Sequence, residues 1–294
     1  MSGKHGGIID GYTLYFEKNG RENSIEIYVD PYAAENSTEA PKGFSLNVNK
    51  HISTIEEASF DDKSPSALFD LGLDYYEGNG GIRQNRQKAF TLWQKAAKQG
   101  HVNAQFNLAL LLHYGDGVEQ NYAEAFKWYY KAAQQGHLKA HCNLGLMYSK
   151  GLGISQDKKA ALKWYTLAAD AGLPEAQHEL GFMYYIGEGV DTDIKKAVYL
   201  WRKAAEQGFA NSQNNLGYAY RTGQGVKKDY AEALKWYKLA AEQDNAEAQY
   251  DLGFMYENGQ GVEVNQQKAI HFYSLAEDNG NQEAVKALRR LTQF

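Results

Sequence analysis

Cysteine is almost missing from the 294 residues: Cys142 stands alone, so no disulfide can close within the chain. A chain of this length buries enough core to fold without one. The lone thiol fits a reducing compartment, so a cytoplasmic location is expected, with a periplasmic or secreted one left open. Proline is nearly as scarce, at four residues, which excludes collagen-like and proline-rich classes. No run of about 18 apolar residues occurs, and the early pair Ile8 and Ile9 is too short for a signal-peptide core, so no membrane insertion is expected. Positive charge is not in excess either. The formal net charge is −5 and the isoelectric point about 5.9, which argues against a general grip on nucleic acid phosphates.

What is abundant is glycine, at 29 residues, and its placement is periodic. A leucine, followed in most copies by glycine, recurs at Leu71, Leu108, Leu144, Leu180, Leu216, Leu252 and, without the glycine, Leu288. The spacing is 37 residues once and 36 thereafter, and the odd interval carries the extra glycine of Gly80-Gly81. In each unit the first half reads Ala-Gln-x-x-Leu-Gly-x-Met-Tyr, best seen from Ala176 to Tyr184. The second reads Ala-x-x-Trp-Tyr-x-x-Ala-Ala-x-x-Gly, as from Ala161 to Gly172. Apolar residues at these spacings occupy one face of a helix. A Gly-x-Gly-Val loop joins the halves, as in Gly187-Glu188-Gly189-Val190, where glycine can end a helix in a left-handed conformation. Pro65 and Pro174 suit first turns, with Ser64 an N-cap for the former.

Small residues inside helices ask for a reason, because a mid-helix glycine costs about 1 kcal/mol relative to alanine. Close approach of a neighbouring helix supplies it at Gly145, Gly181, Gly217 and Gly253, with Trp93, Trp128, Trp164, Trp201 and Trp236 providing the large buried surfaces.

The co-occurrence of the Leu-Gly, Gly-x-Gly-Val and Ala-Ala-x-x-Gly signatures in six copies resembles the Sel1-like repeat family, a relative of the tetratricopeptide repeat. The likeness runs from about Ser66 to Phe294. It implies an all-α fold: a right-handed superhelical α/α solenoid of six repeats, closed by a capping helix from about residue 281. It also implies a non-enzymatic scaffold or adaptor that binds a partner protein or peptide on its concave face. Some bacterial members are immunity partners of secreted toxins, which makes a toxin-neutralising role the alternative. A hydrolase or β-lactam-directed enzyme is the remote one, since the cysteine pairs of the cysteine-rich members are absent here. Arg289 stands where other copies have Gly or Ala, which suits a polar last helix.

Residues 1–63 have a different character and form a separate β-rich cap or accessory segment, with the solenoid occupying residues 64–294. Tyr12, Leu14 and Phe16 alternate with polar neighbours, as do Ile25, Ile27 and Val29, and Asn19-Gly20 lies between them, which is a hairpin signal. Phe44, Leu46 and Val48 are placed to add a strand. A hairpin alone is marginal in water, so packing on the first repeat is expected.

No catalytic constellation, cofactor fingerprint or metal site is expected. The Gly-x-Gly loops follow helices rather than strands and recur once per unit, so they read as structure, not phosphate cradles. His137 and His141 have ligand spacing beside Cys142, but His101 holds the place of His137 one unit earlier, which marks a recurring loop residue.

A partner is expected on the first helices of the units, along a stripe two residues before the leucine, two after it and five after it. Tyr185, Tyr218, Arg221 and Tyr250 lead that stripe, because tyrosine and arginine dominate interface energies. His178, Asn214 and Glu257 complete it. Leu146, Phe182 and Phe254 in the same stripe are assigned to packing between units.

Overall fold

The computed structural model describes residues 12–18, 21–27, 60 and 63–292. Strands β1 (Tyr12–Lys18) and β2 (Arg21–Ile27) form an antiparallel ladder, with Leu14 opposite Ile25. The third alternation, around Leu46, and the link at Asn19-Gly20 lie outside the described residues.

Thirteen helices follow among the described residues, two to each repeat. The first helices are α1 (Pro65–Glu77), α3 (Val102–Tyr114), α5 (Leu138–Lys150), α7 (Pro174–Ile186), α9 (Ala210–Thr222) and α11 (Ala246–Asn258). The second helices are α2 (Arg86–Lys98), α4 (Tyr122–Gln134), α6 (Lys158–Asp170), α8 (Ile194–Glu206), α10 (Tyr230–Ala241) and α12 (Gln266–Asp278), and α13 (Gln282–Thr292) comes last. The chain divides into two compact units, one ending at His137 and the other starting at Leu138.

Local chemistry explains the boundaries. Second helices begin at Asn or Asp caps: Asp229 accepts from the amides of Ala231 and Glu232, and Asn265 from that of Lys268. First helices end where glycine turns left-handed, as at Gly223 (φ 79°), whose amide returns to the Ala219 carbonyl. Ser64 caps α1 through the Ala67 amide, and Pro65 and Pro174 occupy first turns. The second glycine of the loop has another cause. A Cβ on Gly225 would stand 2.8 Å from the Ile194 carbonyl oxygen, so the loop can lie on the start of the preceding second helix only without a side chain.

The core repeats with the sequence. In five of the six repeats an aromatic of the second helix lies against a glycine of the first: Trp93 on Gly72, Tyr165 on Gly145, Trp201 on Gly181, Tyr237 on Gly217 and Tyr273 on Gly253. Those five aromatics are 3 % exposed or less. The signature leucines Leu108, Leu144, Leu180, Leu216 and Leu252 are buried beside them. At the end, α13 buries Ala284 and Ala287 against Tyr273 and Ala276, with Leu288 and Leu291 partly covered. Arg289 is exposed, while Arg290 reaches both oxygens of Glu257 at 2.6 and 2.8 Å.

A buried glutamine with an exposed amide partner ties neighbouring repeats together. Gln213 donates to the Ala205 carbonyl at 3.2 Å and accepts from Gln243 at 2.8 Å. Gln105 with Gln135, Gln177 with Gln207 and Gln249 with Asn279 repeat the arrangement. The glutamine of the Ala-Gln signature therefore gives a helix-end carbonyl a second donor, beside the backbone amide of the turn, as Gly208 is to Ala205.

Candidate functional site

The candidate site is the face of the first helices α7, α9 and α11, all within the second unit. Residues at the leucine's −1, +2 and +6 positions form its surface: Glu179, Phe182 and Ile186 on α7; Asn215, Tyr218 and Thr222 on α9; Asp251, Phe254 and Asn258 on α11. Helical spacing places each trio on one side. Ile186 is 47 % exposed. Phe182, Tyr218 and Phe254 are partly exposed.

Three of the sequence-predicted residues meet here. The Arg221 guanidinium lies between the rings of Tyr218 and Phe254, 5.4 Å from each centroid, as a cation–π sandwich. Its Nε donates to the Tyr237 hydroxyl at 3.2 Å and its Nη2 to Asp251 at 3.4 Å. Tyr185 stands beside Tyr218, donates its hydroxyl to Gln224 at 2.8 Å and leans on Trp201, with ring centroids 5.3 Å apart. Burial pushes the Asp251 carboxyl up, against the pull of Arg221. It also raises the Tyr237 hydroxyl, and the Asp251 charge adds to that rise.

Of the other four predicted positions, His178, Tyr250 and Glu257 are engaged elsewhere. His178 is 9 % exposed, with Nδ1 2.9 Å from the Ser212 hydroxyl and its ring against Phe209. Burial lowers its pKa to about 4, so it is a neutral packing residue. Tyr250 packs on Tyr273. Glu257 accepts from the Tyr273 hydroxyl at 2.7 Å as well as from Arg290. Asn214 is partly buried, with an Oδ1 that has no hydrogen bond.

Phe182 and Phe254, assigned to packing on sequence grounds, contribute to the surface as well. Glu179 and Asp251 were not anticipated. The signal for them was present: the residue before the signature leucine is an acid or amide in all six repeats, namely Asp70, Asn107, Asn143, Glu179, Asn215 and Asp251.

The linking loops bind side chains of the preceding repeat rather than present open amides. Gln224 accepts from Tyr185, Glu188 pairs with Lys158 at 2.5 Å, and Asp116 accepts from Tyr76 at 2.8 Å and pairs with Arg86. His101 caps α3 through Nδ1, which accepts from the Ala104 amide at 3.2 Å, and stacks on Phe69. His137 stacks on Phe106, with centroids 4.1 Å apart. Among the described residues no three metal-ligating side chains come together, and no helix is long and apolar enough to cross a membrane.

With this geometry in view, comparison with known proteins is direct. The Sel1 repeat pattern matches residues 65–101, 102–137, 138–173, 174–209, 210–245 and 246–281. Among solved structures, the chain is similar to c5321, a protective antigen of uropathogenic Escherichia coli strains displaying an SLR fold. The two are 35 % identical with a TM-score of 0.72, over 84 % of this chain and 52 % of that one. It is also similar to a Sel1 repeat protein from Oxalobacter formigenes, at 34 % identity and a TM-score of 0.68, over 76 % of this chain and 94 % of that one. The chain thus spans about half the length of the E. coli protein. No curated protein sequence matches it.

Proposed function

The chain belongs to the Sel1 repeat family, and on that premise we propose that it is a non-catalytic scaffold holding a partner protein or peptide along the α7, α9 and α11 face. The observation that carries this reading is the row Phe182, Tyr218 and Phe254, partly exposed and flanked by the half-exposed Ile186, on helices whose backs are fixed by buried packing. A rigid face loses little conformational entropy when a partner docks. Aromatic anchors supply large contact area with few rotors to freeze. Arg221, Tyr237 and Asp251 on this face are bonded to one another rather than aimed at a reacting atom, which supports binding over chemistry.

A photo-reactive amino acid placed at Ile186, and separately at Tyr199, tests the face. Tyr199 lies on α8 and is 58 % exposed. The partner is expected to crosslink through position 186 and not through 199. Crosslinking through 199 alone would move the binding surface to the second helices. A secreted toxin recovered through 186 would make the scaffold an immunity protein.

A further inference from the structure

One contact between successive first helices in the second unit joins three positions of the repeat: the residue five after the signature leucine, the aromatic of the second helix, and the residue before the next leucine. Between the fifth and sixth repeats these are Arg221, Tyr237 and Asp251, and the guanidinium joins the hydroxyl to the carboxylate. Between the third and fourth repeats the same three positions hold Ser149, Tyr165 and Glu179. Acid and phenol are present and the cation is absent.

The consequence falls on Glu179. The other acids near this face have partners: Glu175 with Lys139, Glu188 with Lys158, Asp251 with Arg221 and Glu257 with Arg290. Glu179 has no hydrogen bond or ion pair among the described residues. Lys158 lies close, with Nζ 3.1 Å from the Ser149 hydroxyl, but its charge is committed to Glu188 at 2.5 Å. Lys150 on α5 draws the Glu179 pKa down, whereas Glu188 and burial push it up, and burial dominates. Burial raises the pKa of the Tyr165 hydroxyl and of the Cys142 thiol, and the Glu179 charge adds to both. An unpaired carboxylate at such a position is costly to keep charged.

We propose that Glu179 and Tyr165, beside Ser149, form a subsite for a cationic side chain, arginine or lysine, supplied by the bound protein or peptide. The partner's cation takes the place that Arg221 fills in the later repeat. A guanidinium suits it best, since one planar group can donate to carboxylate and phenol together, as Arg221 does. Phe182, two residues beyond Leu180, is positioned to flank the incoming stem as Phe254 flanks Arg221. This inference rests on the scaffold reading and adds the chemistry of one contact.

The test uses the full chain with carbon-13-labelled glutamate, N-acetyl-arginine amide as probe, and its uncharged isostere N-acetyl-citrulline amide. The arginine probe is expected to bind saturably and to lower the Glu179 carboxyl pKa by about one unit, while the citrulline compound leaves it unmoved. Ser149→Arg, which places a guanidinium in cis, should block the probe. Glu179→Gln should abolish saturable binding, and it keeps the question open to test should Ser149→Arg not fold. Equal binding of citrulline, or saturable arginine binding that survives Glu179→Gln, would overturn the subsite. Because the probe requires no partner, that failure leaves the scaffold reading intact, whereas crosslinking through position 199 alone would defeat the scaffold face.

Discussion

Gly217 lies flat against Tyr237: a methyl group added to that glycine would stand 2.8 Å from the nearest ring carbon. Gly217→Ala should therefore separate α9 from α10 and cost about 1 to 3 kcal/mol by overpacking, despite alanine's better helix propensity. Chemical denaturation checks this, as a lower midpoint with an unchanged slope. The second repeat has Ala109 at the equivalent place with Tyr129 still buried, so the cost should lie nearer the lower figure.

Gln213 and Gln243 should behave as one element. Gln213→Ala alone removes one of two partners from the Ala205 carbonyl, which keeps Gly208, and from the Gln243 amide, which keeps Leu239, and should cost about 1 kcal/mol. The third repeat shows another solution, with His141 and Ala171 at the two equivalent positions. A double-mutant cycle with Gln213→His and Gln243→Ala is expected to show favourable coupling, the pair costing less than the two single changes together.

Much of this architecture is legible in the residues because it is periodic. Leucine, glycine and alanine spacing places the helices, and the caps mark their ends. Contacts between residues 30 or more apart are not legible in that way. The glutamine of Ala-Gln is visible as a signature, but its partner lies 30 residues further on. His178 shares a helical stripe with Phe182, which suggests exposure, yet Ser212 and Phe209 cover it. Glu257 reads as a free surface acid until α13 brings Arg290 onto it. Tyr218 and Arg221 were visible as neighbours one helical turn apart, whereas Asp251, which holds the arginine, belongs to the next repeat.

Removing one member of that pair should reveal the burial of the other. Arg221→Met leaves the Asp251 carboxylate without its cation beside the buried Tyr237, and should cost about 3 kcal/mol. Arg221→Met with Asp251→Asn should recover part of the loss, since the stranded charge is gone. Thermal unfolding of wild type and the two variants measures the difference.

Glu179 should give the fold an inverse pH dependence. Burial raises its pKa from 4.5 to about 7, so the folded state holds the proton more tightly than the unfolded chain does. The resulting stabilisation is fully present below pH 4.5 and is lost as pH rises through 7. His113 and His178, each lowered to about 4 by burial, act in the opposite sense between pH 6.5 and 4. The Glu179 contribution is therefore read as a difference between wild type and Glu179→Gln. The variant should gain about 1 to 3 kcal/mol relative to wild type between pH 5 and 8, measured by urea unfolding at both values.

The role of the first-helix face is tested most directly by titrating the identified partner into wild type and into a chain carrying Ile186→Glu and Asn258→Lys, both exposed positions at the edge of that face. Calorimetry should show affinity reduced at least about tenfold, or about 1.4 kcal/mol, with the melting temperature unchanged. Equal affinity for the two chains would contradict the account and place the partner elsewhere on the repeats.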